Sequence, residues 1–254
     1  MREIVIVIRD LYLSPELVSS AGAGGSAPGI GHLARFGTRA IPADGWRAWV
    51  ARWLDLPRYG SEAPASIAAA ALENAPAGRA VWLATPVHLI TGLTSLHFDR
   101  RSILALAGGE LEALAASFRE TFRGSGLDLH PLEGGELLLS GTAVSAAVTT
   151  TEPARMPLIP VADALPAGQG AAALRRLGAE IEMWLHEHPV NEARARRGAL
   201  SVATLWLWGG GVPAVFAPAP SREIAAAAFG SDPYVRGLWR LAGGEMRPMP
   251  LDWA

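Results

Sequence analysis

The chain has 254 residues, of which 50% are hydrophobic and 18% are charged, and its formal net charge is −2. This composition excludes a disordered chain and indicates a sizeable buried core, and the low net charge gives a nucleic-acid partner no electrostatic support. Because the sequence has no cysteine, it can form no disulfide, zinc–thiolate site or cysteine nucleophile.

Targeting and membrane signals are not predicted either. No apolar run approaches the roughly 20 residues of a membrane-spanning helix, and Asp10 interrupts the first apolar run before it reaches the length of a signal peptide. We therefore expect a cytoplasmic protein without a membrane partner.

Three apolar runs lack the alternation of a half-buried strand, and they are Ile4–Ile8, Val81–Ala84 and Thr204–Trp208. Such runs are typical of strands that are covered on both faces, as in a parallel sheet. The sequence therefore predicts an α/β fold with a mostly parallel sheet.

Helices are predicted between and after these strands. A short helix around Ile30–Ala34 follows a loop over Ala21–Gly31. Asp44 is a candidate N-cap for an apolar stripe that ends at Leu54, and Ser66 is a candidate N-cap for Ile67–Asn74. Later apolar stripes at helical spacing cover Glu110–Phe122, Gly170–His188, Arg222–Phe229 and Pro233–Ala242.

The middle of the chain has a different pattern. A strand over Ser95–Asp99 precedes the Glu110–Phe122 helix, and Leu127–Leu132 and Glu136–Ser140 flank Gly134-Gly135 as a hairpin. We interpret residues 92–150 as a small inserted α+β subdomain, and residues 1–91 and 151–254 as the α/β core.

Two residues that follow predicted strands are candidate ligands. Ligands bind at the carboxyl ends of strands in open α/β sheets, which favours His88 after the second strand and Asp10 after the first. His88 is either a ligand or a loop histidine bonded to backbone. Asp10 is a weak metal candidate whose alternative is an Asx turn.

Two later features have similar alternatives. His186 and His188 would point to nearly opposite helix faces, so we expect His186 to be solvated and His188 to cap the helix C-terminus as a cation. Gly209, Gly210 and Gly211 could form an anion-binding nest of N–H groups. Their alternative role is to let the chain turn beside Trp206 and Trp208.

The segment Glu180–Gly211 reads EIEMWLHEHPVNEARARRGALSVATLWLWGGG. It resembles the helix–loop–strand signature of RpfE-type regulatory proteins and the corresponding stretch of archaeal-type cofactor-independent phosphoglycerate mutases, in the alkaline phosphatase superfamily. The matching residues are His188-Pro189-Val190-Asn191, Arg194, Gly198 and Leu205–Gly211. A second match is Trp82–Leu89, which reads WLATPVHL.

The resemblance implies an alkaline-phosphatase-like core with an inserted subdomain, and phosphoryl transfer through a phosphoserine with two divalent metals held by Asp and His. The sequence departs from this pattern, because Arg9-Asp10-Leu11 stands where the mutases have Asp-Gly, Ala203 replaces an asparagine, and no histidine follows His188. We therefore expect no metal or other cofactor, and a catalytically degenerate protein with a regulatory role.

The turn at His188, Asn191 and Arg194 also has two interpretations. With the glycines and His88 it could bind a phosphate or carboxylate, which would make a small phosphorylated metabolite the partner. Alternatively, Asn191 caps the next segment and Arg194 pairs with a carboxylate such as Glu187. The other functions left open are a phosphatase or phosphotransferase of altered mechanism and a module that binds a protein partner.

Overall fold

The structure is a computed structural model that describes residues 42–91, 96–98, 100–141, 148–213 and 227–248. The chain divides into two compact units, the first ending at Gly60 and the second beginning at Ser61. The predictions for Ile4–Ile8, Asp10, the loop at 21–31, the helix at 30–34 and residues 222–226 lie outside the described residues. In the described part of the chain, no helix combines the length and apolarity needed to cross a membrane.

In the first unit, helix α1 covers Trp46–Trp53 and a 3-10 helix covers Pro57–Ser61. The predicted N-cap was wrong, because Gly45 occupies that position and no side chain caps the helix. Asp44 instead accepts two hydrogen bonds from the Arg52 guanidinium, which hold the pKa of its carboxyl below the usual value. A bidentate, charge-assisted pair of this kind is stronger than a neutral bond to one amide.

The second unit contains the remaining elements. Its helices are α2 Pro64–Ala69, α3 Gly108–Thr121, α4 Val161–Ala164, α5 Ala171–His186, α6 Pro189–Arg196 and α7 Pro233–Leu241. Its strands are β1 Ala80–Val87, β2 Ile90–Thr91, β3 Leu96–His97, β4 Asp128–Pro131, β5 Leu137–Gly141, β6 Thr204–Gly211, β7 Ala228–Phe229 and β8 Met246–Arg247. Short 3-10 helices cover Arg100–Ser102 and Pro153–Leu158.

The main sheet corrects the prediction of a mostly parallel sheet. Its four strands have the order β4-β5-β1-β6, and each neighbouring pair is antiparallel. Among the described strands, only the short pair β7–β8 is parallel. The prediction inferred parallel strands from the apolar runs in β1 and β6, because such runs indicate burial on both faces. An antiparallel sheet that is covered on both faces produces the same pattern.

Both faces of the sheet are indeed covered. On one face, Trp82 and Ala84 of β1 belong to a core with Phe118 of α3 and Ile181 of α5. On the other face, the alternate β1 residues Val81 and Leu83 share a core with residues of α2 and α4, which include Ala65, Ala68, Val161 and Ala164. All eight residues of β1 are consequently buried.

Several predicted elements are confirmed with small shifts at their ends. They are the strands at 81–84 and 204–208, the hairpin around Gly134-Gly135, and the helices at 110–122, 170–188 and 233–242, although the long helix ends at His186 and α6 follows it. The β4–β5 hairpin pairs with β1 within the main sheet. The domain boundaries at 91 and 151 stay a prediction.

Two helix predictions need correction. Ser66 does not cap a helix, because α2 begins at Pro64 and Ser66 lies buried inside it. Ala228 and Phe229, predicted to end a helix, form strand β7 and pair with β8. In both cases contacts with distant parts of the chain override local propensity.

Candidate functional site

The residues Leu200–Val202, here called the pre-β6 segment, lead directly into strand β6. Three predicted site residues bind this segment, one to each successive position. Arg194 Nε donates to the carbonyl of Leu200 at 2.6 Å. The Nδ1 atom of His88 lies 3.0 Å from the carbonyl oxygen of Ser201. Asn191 Nδ2 donates to the carbonyl of Val202 at 2.9 Å.

Asn191 uses all of its amide hydrogens on the protein itself. Its Nδ2 also donates to the carbonyl of Leu185 at 2.8 Å, and its Oδ1 accepts the amide of Val202 at 2.7 Å. The last carbonyls of a helix have no partner within that helix, and Asn191 supplies one near the end of α5. Both N–H groups are thereby donated to backbone carbonyls, so neither is left for an anion.

Arg194 lies in a buried ion pair. The residue is only 5% exposed, and its Nη1 donates to Oε1 of Glu110, on the first turn of α3, at 2.9 Å. The exposed Arg197 also contacts that oxygen, and the Ala107 amide donates to the other at 2.8 Å. Arg194 was expected to pair with a carboxylate such as Glu187 in the structural alternative, and the carboxylate it contacts is Glu110.

The environment of Glu110 favours its charged form. Burial would raise the pKa of this carboxyl, but the hydrogen bonds from Ala107, Arg194 and Arg197 outweigh burial and leave the pKa below its ordinary value. A charged Glu110 therefore faces Arg194 at neutral pH, and their ion pair joins α3 to α6.

His188 does not have the predicted role at the end of α5, where Glu187 is the C-cap. It is the N-cap of α6, and its Nδ1 accepts the amide of Val190 at 3.1 Å. The ring is buried, and burial lowers its pKa, so the imidazole is neutral at physiological pH. The cationic cap was wrong because Pro189 starts a new helix, and that helix needs an acceptor at its N-terminus.

The His188 ring also contacts aromatic side chains. Its centroid lies 5.1 Å from that of Trp184 in an edge-on arrangement, and Trp184 contacts Phe118 of α3 and Phe122, the C-cap residue of that helix. The Nε2 atom of His188 is buried and has no hydrogen-bond partner among the described residues. A neutral ring whose Nδ1 accepts a bond carries its proton on Nε2, so this N–H is an unsatisfied donor.

His88 lies at the carboxyl end of β1, as predicted. Its backbone amide donates to the carbonyl of Ser102 at 2.8 Å, and its half-buried side chain bonds Ser201 through Nδ1. Because a carbonyl can only accept, the proton of a neutral ring resides on Nδ1 and the lone pair on Nε2. This agrees with the backbone-bonded alternative, and the role of Nε2 as a ligand stays a prediction.

The glycines Gly209–Gly211 lie at the other end of the sheet from His88. Strand register pairs Val81 with Gly211 and Val87 with Thr204, so the glycines and His88 are separated by roughly 20 Å at about 3.3 Å per residue. The predicted residues therefore do not form one pocket.

The glycines have a packing role in β6. A Cβ at Gly210 would lie 2.2 Å from the Trp82 ring, and one at Gly211 would lie 2.5 Å from Ser66 Oγ. Gly209 has a φ of +62° and donates its amide to Thr150 Oγ1 at 3.1 Å. The bulky ring that Gly210 accommodates is Trp82, whereas the sequence had pointed to Trp206 and Trp208.

A second polar cluster lies on the edge hairpin. His130 Nε2 is 2.9 Å from Ser140 Oγ on the neighbouring strand, and Asp128 accepts a bond from Arg119. Burial is the main cause that lowers the pKa of His130, with Arg119 and Arg79 adding to it and Asp128 opposing it. Ser140 is fully buried, so the pair fixes the hairpin and offers no reachable nucleophile.

The resemblance implies a two-metal arrangement of Asp and His ligands, and the described residues can be searched for one. Across the described ranges, no group of three or more His, Asp or Glu side chains is placed to hold a metal ion. The Nδ1 atom of His88 and the Nδ1 atom of His188 are each hydrogen-bonded to a backbone group. Asp10, the predicted metal candidate, lies outside the described residues.

Sequence reasoning missed Glu110 and the pre-β6 segment. Glu110 had a local signal, since an acidic residue on the first turn of a helix is typical of N-terminal capping. The contacts themselves had no local signal in the sequence, because Glu110 and Arg194 are 84 residues apart and His88 and Ser201 are 113 residues apart.

No protein-family model matches the sequence, and no curated protein matches it. Among solved structures, the chain is similar to a cofactor-independent phosphoglycerate mutase from Thermoplasma acidophilum DSM 1728, with a TM-score of 0.45 and 19% identity. The similarity covers 83% of this chain and 58% of the mutase chain. The chain thus spans little more than half of the mutase's length. The likeness is distant, and the RpfE-type resemblance stays a prediction.

Proposed function

We propose that this chain is a phosphoglycerate-mutase-like protein with a regulatory role, in which the signature residues hold the fold and do not transfer phosphoryl groups. The motif in Glu180–Gly211 supports the family, and the hydrogen bonds of its polar residues support the loss of catalysis.

The observation that carries the proposal is the binding of the pre-β6 segment by His88, Asn191 and Arg194. A catalytic or anion-binding side chain must direct its donors at the ligand. Here Asn191 directs both amide hydrogens at backbone carbonyls, and Arg194 is buried against Leu200 and Glu110. An incoming phosphate would have to displace these bonds and leave Glu110 in contact with Arg197 and the Ala107 amide, without its buried partner.

The departures of the sequence from the mutases point the same way. Two-metal phosphoryl transfer needs ligands that converge on both ions. The sequence has Arg9-Asp10-Leu11 in place of the Asp-Gly of the mutases, and no histidine follows His188. The ligands expected from the early and late parts of a mutase are therefore replaced.

The test is an activity and melting assay on the full chain. We expect no hydrolysis of p-nitrophenyl phosphate and no conversion of 3-phosphoglycerate, with either Mn²⁺ or Mg²⁺. We also expect no change in melting temperature with 3-phosphoglycerate or metal, whereas a bound ligand at about 100 times its Kd would stabilise the fold by about 2.7 kcal/mol.

The alternative, a phosphatase or phosphotransferase of altered mechanism, predicts a different result. Metal-dependent turnover that is lost in Asp10→Asn and kept in Asp163→Asn would contradict the proposal and assign Asp10 to a metal site. Asp163 is a suitable control because it lies exposed on α4. A melting shift with 3-phosphoglycerate but no turnover would keep the regulatory role and identify a phosphorylated metabolite as its ligand.

A further inference from the structure

His188 contacts α5 through its backbone amide and α6 through one ring nitrogen. Its backbone amide donates to the carbonyl of Leu185 in α5 at 3.2 Å, and its Nδ1 accepts the amide of Val190 in α6. The bond to Val190 exists only while Nδ1 has a lone pair, because a protonated imidazole is a donor at both nitrogens. The side-chain cap of α6 therefore depends on the protonation state of His188, whereas the backbone bonds of Asn191 and Glu192 to the His188 carbonyl do not.

The surroundings of the ring disfavour a charge. The residue is 5% exposed, its Nε2 has no hydrogen-bond partner in the part of the chain that the structure describes, and Trp184 contacts the ring edge-on. Burial lowers its pKa with no contribution from a charged neighbour. The ionisable groups on the elements around it are Arg175, Arg176, Glu180, Glu182 and His186 on α5, Glu187 after it, Glu192, Arg194 and Arg196 on α6, and Glu110, Glu112, Arg119 and Glu120 on α3. Arg194 and Glu110 already neutralise each other.

Helix α6 also carries the residues that hold the pre-β6 segment. Asn191 lies in the first turn of this helix and Arg194 in the second, and they bind Val202 and Leu200. A change at the N-terminus of α6 is therefore transmitted to the residues that lead into β6.

We propose that His188 is a proton-operated latch: the neutral ring holds the first turn of α6 through Val190, and protonation releases that turn and loosens the pre-β6 segment. This inference does not depend on the proposed function, because it concerns only the contacts of α6. It gives the protein a response to acidification below the ordinary range of histidine.

The direction of the effect follows from linkage. The buried ring has a lower pKa than the exposed ring of the open state, so opening takes up a proton. The latch is fully closed above the ordinary histidine pKa of 6.5 and is weakened as the pH falls below it. Because opening takes up one proton, each decrease of one pH unit in that range raises the equilibrium constant for opening about tenfold.

The experiment is amide hydrogen exchange of the full chain at about pH 7.5 and about pH 5.5, on either side of the ordinary histidine pKa. Rates are corrected for the pH dependence of intrinsic exchange. We expect the protection of the Val190 and Val202 amides to fall at the lower pH, by at most about tenfold for one proton. Unchanged protection of the Val190 amide would overturn the proposal.

Two variants separate the latch from general acid sensitivity. Asparagine is a good N-cap that does not titrate, so His188→Asn should keep α6 closed and remove the pH dependence. His186→Asn changes an exposed histidine two residues away and should behave as the wild type. Equal pH dependence in His188→Asn and the wild type would refute the latch.

A measurement on the wild type alone covers the case in which His188→Asn does not fold. Nitrogen-15 NMR of the ring should find the neutral form with its proton on Nε2 at about pH 7.5, since Nδ1 accepts the Val190 amide. A ring with its proton on Nδ1 would exclude the latch.

Discussion

Arg194→Ala separates the structural role of this residue from an anion-binding role. The guanidinium is buried, donates to Leu200 and Glu110, and joins α6 to α3. Removing one partner of a buried ion pair costs about 3–5 kcal/mol, because it leaves the other charge buried without compensation. Arg197 still contacts Glu110 in the variant, so we expect a loss of about 3 kcal/mol, at the lower end of that range.

The assay is urea unfolding at neutral pH without phosphate, with the free energy of unfolding taken from midpoints at constant slope. The matched control is Arg197→Ala, which removes a contact to the same carboxylate oxygen from a side chain that is 51% exposed. An exposed pair contributes about 0–1 kcal/mol, so this variant should change stability by less than Arg194→Ala does.

A different result is expected if Arg194 serves a ligand. Functional sites are commonly stabilised when their charged residues are removed, so the free protein would then be unchanged or more stable. A loss in Arg194→Ala no larger than the loss in Arg197→Ala would therefore refute the structural role.

Substitutions of Asn191, Gly237 and Glu110 test three further parts of the structure. Asn191→Ala should lower the free energy of unfolding by about 2–3 kcal/mol, because three backbone hydrogen bonds at about 1 kcal/mol each are lost; urea unfolding measures this, and a change within error would contradict the role of Asn191 in holding the pre-β6 segment. Gly237→Ala should destabilise the fold, since its Cβ would lie 1.9 Å from the carbonyl oxygen of Ile67. The control is Gly178→Ala, which has open space in α5 and should raise the free energy of unfolding by about 0.5–1 kcal/mol. Equal melting temperatures of the two variants would refute the packing of α7 on α2. Because the pKa of Glu110 is lowered in the folded state, its charge adds stability at pH values above the ordinary pKa of 4.5, and this stability is lost as the pH falls through the folded-state pKa. Glu110→Gln should therefore flatten the dependence of stability on pH below about pH 4.5. An unchanged pH dependence would contradict the charged pair.

The elements of the fold could be predicted from the sequence because their signals are local. The apolar stripe of α5 and the Gly134-Gly135 hairpin are visible within a few residues, and the structure confirms both. Strand direction could not be predicted, because burial on both faces gives parallel and antiparallel strands the same composition. The described sheet therefore differs from the prediction in the direction of its strands, and it also includes the β4–β5 hairpin, which pairs with β1.

The candidate site could be predicted only as a set of residues. Arg194, Asn191 and His88 were identified by type and position, and they do converge on one segment. Their partners were not identifiable, because they come from positions far away in the sequence, as Glu110 does for Arg194. The sequence also grouped the glycines with them, and strand register places those at the opposite end of the sheet.

The ambiguity at this turn has a chemical cause. A backbone carbonyl and a phosphate oxygen accept the same N–H donors, so an arginine, an amide and a histidine in one turn suit either partner. What separates the two is whether the protein supplies enough acceptors of its own. Here the pre-β6 segment offers one carbonyl at each of its residues, and Leu185 and Glu110 supply the rest. The Nδ2 atom of Asn191 and the Nε and Nη1 atoms of Arg194 therefore have acceptors within the chain, and an anion could bind them only by displacing these hydrogen bonds.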